Sequence, residues 1–240
     1  LGPAQVSPKH ANFLTNTGKA TTKDVIMLAA HVKKTVFEKF GIELEEEVKR
    51  LSRDERIHGI LVQAPLPSHI DRYAVTECIE ARKDVDGYTR TQIGNMFLGH
   101  DGLHSCTPKG IMTMLKYYHI DVSGKSVAVI GRSNIVGKPM AQLLLSCFNL
   151  TVTMCHSKTR NLGDFIANAD VLVSATGVRG IVDCTLIKEG SIVIDVGMHR
   201  IEGKVTGDLD LARVAERARF YTPVPGGVGP MTITMLLVNT

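Results

Sequence analysis

No apolar run in this 240-residue chain approaches the ~20 residues needed to cross a bilayer. The opening segment, LGPAQVSPKH, has no apolar signal core, so nothing in it indicates export. Cysteines are few and odd in number: Cys78, Cys106, Cys147, Cys155 and Cys184 share no metal-ligand spacing. That argues against a metal site and a disulfide framework, and for reduced, mostly buried thiols in a cytoplasmic or matrix-like compartment. Excess charge is scarce too. A net +4 from 28 basic and 24 acidic residues is too small and too scattered to argue for nucleic acid, though it suits anionic ligands. Internal repeats and low-complexity stretches are absent. What is present, 44% hydrophobic and 22% charged residues, is the balance of a globular protein with core enough for one large domain or two small ones.

Residues 1–20 are rich in turn formers and are expected to be loop, with at most one short strand around Ala11 to Asn16. Thr21 or Thr22 should cap a helix from about Lys23 to Phe40. Its apolar residues Val25, Leu28, Ala29, Val32, Val36 and Phe40 recur at three and four positions, and Gly41 stops it. IELEEEVKRL follows as a strand or a charged, solvated connection. HGILVQAPLP reads as an unbroken apolar strand entering a Pro-x-Pro turn, then a helix around Arg72 to Ala81 and the turn KDVDGYT. TPKGIMTMLKYYHI is a long helix with Pro108 in its first turn. From Lys125 strands and helices alternate: SVAVIG, a helix over 137–148, LTVTMC, a helix over 161–168, ADVLVSATG and SIVIDVG. Short, nearly continuous apolar strands alternating with helices indicate a parallel sheet covered on both faces. A Pro/Gly loop and a final helix complete the chain.

The segment VIGRSNIVGKPMAQLLLS, residues 129–146, is a strand end, a turn and a helix start. Gly131 lets the chain leave the strand sharply, Ser133 and Asn134 can cap the helix, and Gly137 permits close helix–strand packing. Amides at a helix start, with the positive end of its dipole, favour a phosphate. The Gly-x5-Gly spacing is a variant of the dinucleotide fingerprint, and an ordinary strand–helix turn would read the same. After the next strand, an NAD-binding protein places an acid for the ribose 2′-hydroxyl. Here the chain reads CHSKTR, with His156, Ser157, Lys158 and Arg160. Cations and a hydroxyl there, with Arg132 in the turn, suit the 2′-phosphate of NADP; a solvated surface patch is the alternative.

HGILVQAPLP, KDVDG, SCTPKGIM, GRSNIVGKPM, CHSKT, VIDVG and TPVPGGVGPMT occur over about residues 53–240. In order and spacing they resemble the signature segments of bifunctional methylenetetrahydrofolate dehydrogenase/cyclohydrolase. The resemblance implies a two-lobed α/β fold with a Rossmann-like NADP domain over 122–218. It implies a smaller α/β catalytic lobe from residues 1–121, to which 219–240 return. It also implies a folate substrate, NADP as cofactor, one-carbon metabolism and a homodimer. By that resemblance Asp86 bonds the 2-amino and ring N–H edge of a pterin; on its own residues it is equally a turn former bonding its own backbone. Gln63 is expected to end a buried strand, and the family places it beside the reactive carbons. Pro223, Gly226 and Gly227 belong to a rigid loop that the resemblance closes over the ligands. Gly131, Arg132, Ser133, Ile135, Gly137, Ser157 and Met198 are the implied cofactor contacts.

The family's Ser-x-x-Tyr-x-x-x-Lys-x-Lys helix, which carries the cyclohydrolase lysine, is missing: the tyrosines are Tyr73, Tyr88, Tyr117, Tyr118 and Tyr221. Lys19 stands at roughly the right distance before Gln63, but Thr15 and Gly18 break the pattern. Residues 2–51 instead resemble the C-terminal end of UDP-N-acetylenolpyruvoylglucosamine reductase, through KHANF and a terminal FGIELE-x-EV strand. Glu47 would match that family's proton-relay glutamate, yet the flavin domain and serine donor are absent, which makes Glu47 a surface acid. The chain thus reads as a reductase piece, about 1–52, fused to a folate-enzyme body. The expected function is NADP-dependent 5,10-methylenetetrahydrofolate dehydrogenase with impaired cyclohydrolase activity; a non-catalytic NADP-binding scaffold is the alternative. The missing first strand should leave a smaller sheet or an uncovered apolar edge.

Overall fold

The computed structural model describes residues 3–8, 14–63, 66 and 70–240. The chain folds into two compact units, Leu1–Lys83 and Asp84–Thr240.

In the first unit, β1 (Ala4–Val6) pairs antiparallel with β2 (Leu14–Asn16). Only one short strand was expected here, and residues 11–13 of that expectation lie outside the described residues. Helix α1 (Thr22–Phe40) matches its sequence signals. Thr21 and Asp24 form a capping box: the Asp24 N–H donates to Thr21 Oγ1 at 3.3 Å and the Thr21 N–H to Asp24 Oδ2 at 2.8 Å. Gly41, at φ +66°, ends the helix in the left-handed conformation. Leu28 of α1 packs with Ala4 and Ala20 into a small core flanked by Val25 and Val32.

Two sequence expectations fail in this unit. IELEEEVKRL forms neither a strand nor a plain connection, since Glu47–Arg53 is a helix, α2. HGILVQAPLP is not a strand over its described residues: Ile60 makes one bridge, its N–H donating to the Lys83 carbonyl at 2.8 Å, and Gln63 is exposed. A strand needs a ladder, and over its described residues this segment makes no more than that one bridge. The next helix, α3 (Arg72–Thr76), is capped by Asp71 and is shorter than expected. Lys83 is 1% exposed, and its Nζ donates to the carbonyls of Ser52 at 2.6 Å and Asp54 at 2.9 Å. A buried ammonium thus closes the end of α2 against the segment that leaves the unit.

The second unit is a doubly covered sheet. Its elements run α4 (Arg90–Leu98), α5 (Cys106–Tyr117), β3 (Ser126–Ile130), α6 (Gly137–Phe148), β4 (Thr151–Cys155), α7 (Leu162–Asn168), β5 (Val171–Ser174) and β6 (Ile192–Asp195). A hairpin follows, β7 (His199–Ile201) with β8 (Lys204–Thr206), then α8 (Leu211–Arg217), β9 (Phe220–Tyr221) and α9 (Val228–Asn239). The sheet order is β4-β3-β5-β6-β9, every pair parallel. Along β3, Val127 and Val129 enter one core while Ala128 and Ile130 enter the other; β5 and β6 alternate likewise. The first core takes α5 and α6, the second α7 and α8. Period-two alternation between two apolar layers is why the strands look continuously apolar in sequence. Helix α9 crosses α5 closely: Gly110 leaves room for Met231, and Thr107 and Thr232 hydroxyls meet at 2.9 Å.

Candidate active site

Arg132 and Ser133 follow the carboxyl end of β3, and Ser157 that of its parallel neighbour β4. Strand β3 has β4 on one side and β5 on the other, so the chain's path reverses there and leaves a crevice beyond its end. The turn 131–136 occupies that position. Gly131 sits at φ +119°, where a Cβ would strike the Ala175 carbonyl, and its N–H donates to Cys155 O at 2.9 Å. At Gly137 a Cβ would overlap the Gly131 carbonyl. Both glycines are therefore required by backbone proximity. Ser133 Oγ accepts the N–H groups of Val136 and Gly137, each at 3.2 Å, while Asn134 Oδ1 takes Lys138 Nζ at 2.7 Å. The half-buried Ile135 is tied to the cap of α5, its carbonyl accepting from Ser105 Oγ at 2.8 Å. Arg132 is exposed.

Ile130 pairs with Cys155, which brings the exit of β4 beside the turn. His156 N–H donates to Thr159 Oγ1 at 2.8 Å and Lys158 N–H to His156 Nδ1 at 3.1 Å. These local bonds hold a tight turn on which Ser157, Lys158 and Arg160 are exposed. Met198, 77% exposed, follows β6 two strands from β3. The glycine framework and helix start suit a phosphate, Arg132 and Ser157 are both exposed, and no acid stands at 156–160.

Pro223, Gly226 and Gly227 lie on a separate cavity of about 380 Å³, lined also by Leu115, Tyr118 and Ile194, on the α5 side of the sheet. The Val224–Pro225 peptide is cis, and at Gly227 a Cβ would strike the Pro223 carbonyl. Asp86 is half-buried in its turn. The turn-forming acid is its neighbour Asp84, whose carboxylate accepts the N–H groups of Gly87 at 3.0 Å and Thr89 at 2.6 Å. Asn239, at the end of α9, pins the same turn by donating to the carbonyls of Val85 at 2.8 Å and His104 at 3.0 Å. Burial, with Asp86 adding to it, pushes the Cys106 thiol up to about 11. Gln63, Lys19 and Glu47 belong to the first unit, where all three are exposed.

Residues 105–240 match the family model of the tetrahydrofolate dehydrogenase/cyclohydrolase NAD(P)-binding domain, more than half of the chain. The chain belongs to the tetrahydrofolate dehydrogenase/cyclohydrolase family. Residues 1–51 match a different family model, the C-terminal domain of UDP-N-acetylenolpyruvoylglucosamine reductase. Among relatives of this dehydrogenase/cyclohydrolase chain, the bifunctional protein FolD of Paraburkholderia xenovorans is 57% identical over 199 residues, covering 82% of this chain and 69% of the relative. The bifunctional FolD dehydrogenase/cyclohydrolase structure from Campylobacter jejuni superposes with a TM-score of 0.78 at 42% identity, over 89% of this chain and 81% of that one. The Trypanosoma brucei enzyme, solved with NADP cofactor and an inhibitor, gives a TM-score of 0.76 at 34% identity over 89% and 80%.

Sequence reasoning overlooked Asp84, Lys83, Thr176, His199 and Asp208. The available signal was a polar residue placed where an apolar strand ends, as at Ser174 and Asp195, or held between glycines, as in the Gly197–Asp208 stretch.

Proposed function

We propose that this chain is an NADP-dependent 5,10-methylenetetrahydrofolate dehydrogenase of one-carbon metabolism, with an impaired methenyltetrahydrofolate cyclohydrolase activity. The observation that carries this reading is the β3–α6 turn, closed by Gly131 and Gly137, with Arg132 exposed on it and the exit of β4, where Ser157 is exposed, beside it, in a chain whose relatives are named bifunctional enzymes. NADP⁺, when bound, supplies the hydride acceptor. The start of α6, with Ser133 and the half-buried Ile135, takes the phosphates and adjoining sugar. Arg132 and Ser157 hold the 2′-phosphate, and Met198 neighbours the nicotinamide. Asp86 bonds the pterin edge, Gln63 is a polar neighbour of the transferred carbon, and Pro223, Gly226 and Gly227 line the folate side. Hydride transfer asks mainly for two ligands held in register, with little acid–base demand.

In this reading 122–218 form the NADP domain, and 1–121 with 219–240 form the catalytic lobe, of which 1–52 come from the reductase-like piece. The protein works in the cytoplasm on a small folate, as a homodimer, without nucleic acid or membrane. Among the described residues no helix is long and apolar enough to cross a membrane.

The impairment follows from the missing Tyr-x-x-x-Lys. A positioned proton-transfer group is worth typically ~10²–10⁴-fold, and Lys19 stands exposed on a loop. Mixing the protein with chemically made methenyltetrahydrofolate should show hydrolysis near background, unchanged by Lys19→Ala. A rate equal to that of an intact family member would overturn the impairment, and its fall in Lys19→Ala would assign the missing role to Lys19. NADPH formation from methylenetetrahydrofolate should be detectable but low. A protein that binds neither NADP⁺ nor a folate analogue would refute the assignment itself.

A further inference from the structure

The carboxyl ends of β5 and β6 carry a buried polar network outside the residues assigned above. Asp208, 3% exposed, follows β8. Its Oδ2 accepts from Ser174 Oγ at 3.1 Å, Thr176 N–H at 3.0 Å, Thr176 Oγ1 at 2.8 Å and Gly177 N–H at 3.1 Å. Its Oδ1 accepts from His199 Nε2 at 2.7 Å. A second carboxylate builds the floor. Asp195, 1% exposed, accepts the N–H groups of Gly197 at 2.9 Å and Asp208 at 3.1 Å on Oδ1, and Leu209 N–H at 2.9 Å on Oδ2. Both acids are fitted against glycine: a Cβ at Gly197 would strike the Asp208 carboxylate, and one at Gly207 the Asp195 carboxylate.

Burying an acid is costly unless donors surround it, and an apolar residue would fill the same space at no such cost. What the arrangement achieves is geometric. The four Oδ2 bonds all go to residues 174–177, the exit of β5. Between the bonded residues stands Ala175, whose N–H donates to Ile130 O at 2.8 Å and whose carbonyl occupies the place a Cβ on Gly131 would take. The position of Ala175 therefore sets how the turn at Gly131 lies over the end of β3.

We propose that Asp208 is a positioning residue for the dinucleotide: it locks Thr176 and Gly177, and through Ala175 it fixes the Gly131 turn, while His199 holds its second oxygen in place. This rests on the NADP reading. Neither Asp208 nor His199 touches the cofactor in this role, so their effect should be confined to nucleotide affinity.

The test is NADPH binding by fluorescence, with folate-analogue binding and thermal unfolding measured on the same proteins. Thr176→Val keeps shape but removes the hydroxyl that bonds both Asp208 and Val178, and His199→Ala removes another donor to Asp208; each should weaken NADPH about tenfold or more, the scale of a hydrogen bond to a charged group. His199→Gln, which can still donate to Asp208, should restore affinity to within about twofold of wild type. Folate-analogue affinity should stay within about twofold throughout. Asp208→Asn should show the largest loss; if it does not fold, the Thr176 and His199 variants decide. Folded Thr176→Val and His199→Ala proteins that bind NADPH like wild type would overturn the inference, as would a parallel loss of folate-analogue binding or a His199→Gln variant no better than alanine. A wild type without NADPH affinity would instead refute the functional reading and take this inference with it.

Discussion

Gly137 opens α6, and it is where the nucleotide turn has least room. An alanine Cβ there would overlap the Gly131 carbonyl oxygen, and would stand 2.7 Å from the Gly131 carbonyl carbon and 3.0 Å from Arg132 Cα. All three are backbone atoms, so no change of rotamer relieves the clash. Restoring an ordinary carbon–carbon separation of about 3.5 Å requires helix and turn to part by at least roughly 0.8 Å, the shortfall at the carbonyl carbon, and by more at the overlapped oxygen. Overpacking of this kind costs about 1–3 kcal/mol. Alanine returns at most about 1 kcal/mol of helix propensity, and less at a first helical position. The net cost of Gly137→Ala is about 1–2 kcal/mol, and for a unit of this size each kcal/mol lowers Tm by roughly 2–4 °C. Ligand binding should suffer more, because a misplacement on the order of 1 Å can cost up to about 10²-fold where register matters. NADPH titration should show at least about tenfold weaker binding. Gly94→Ala is the control: no atom lies within 4 Å of its Cβ position inside α4, so it should gain roughly 0.5–1 kcal/mol and bind NADPH normally. A Gly137→Ala protein with wild-type Tm and wild-type NADPH affinity would refute the close-packing account of the turn.

Three further outcomes follow from other residues. NADP⁺ should bind at least about tenfold tighter than NAD⁺, on the order of 1.4 kcal/mol, with Arg132→Ala and Ser157→Ala each narrowing the gap; equal binding in wild type would remove the 2′-phosphate assignment. Asp86→Ala should abolish folate-analogue binding and leave NADP⁺ affinity within about twofold, since the Asp84 carboxylate still bonds the turn's backbone; normal analogue binding would reduce Asp86 to a turn residue. Asp170 is held down to about 2 by hydrogen bonds from Lys188 at 2.6 Å and from Ser126. A carboxyl depressed in the folded state stabilises fully above its unfolded pKa, near 3.8, and loses that contribution as pH falls towards about 2. Acid unfolding of Asp170→Asn should accordingly begin from lower stability and be less steep over that window; an unchanged profile would show that the ion pair contributes nothing.

Local signals and two-sided burial were legible in the amino-acid sequence alone. Thr21 and Gly41 delimit α1 because capping is settled within one turn of the chain. Strands β3, β5 and β6 were readable because both faces are covered, which leaves every position apolar, and α6 came out at 137–148 as expected. The cations at 156–160 and the glycines of the turn depend only on neighbours in sequence. Elements with weaker local signals went unread: α4, α8, β9, and the hairpin β7–β8, whose turn places Glu202 and Gly203 at positive φ without the usual Asn or Asp. Tertiary structure decided the rest, and in each case the partner was distant in sequence or missing. Ile57 to Gln63 has strand composition but no ladder to join. Lys83 looks like a surface lysine until Ser52 and Asp54, about thirty residues away, present their carbonyls. Asp208 becomes a nucleotide-site determinant only because residues 174–177 and His199 are folded onto it, with Asp195 holding its backbone from below. A polar residue declares its type in sequence, but whether it is solvated, capping or buried among donors is settled by which segments the fold brings around it.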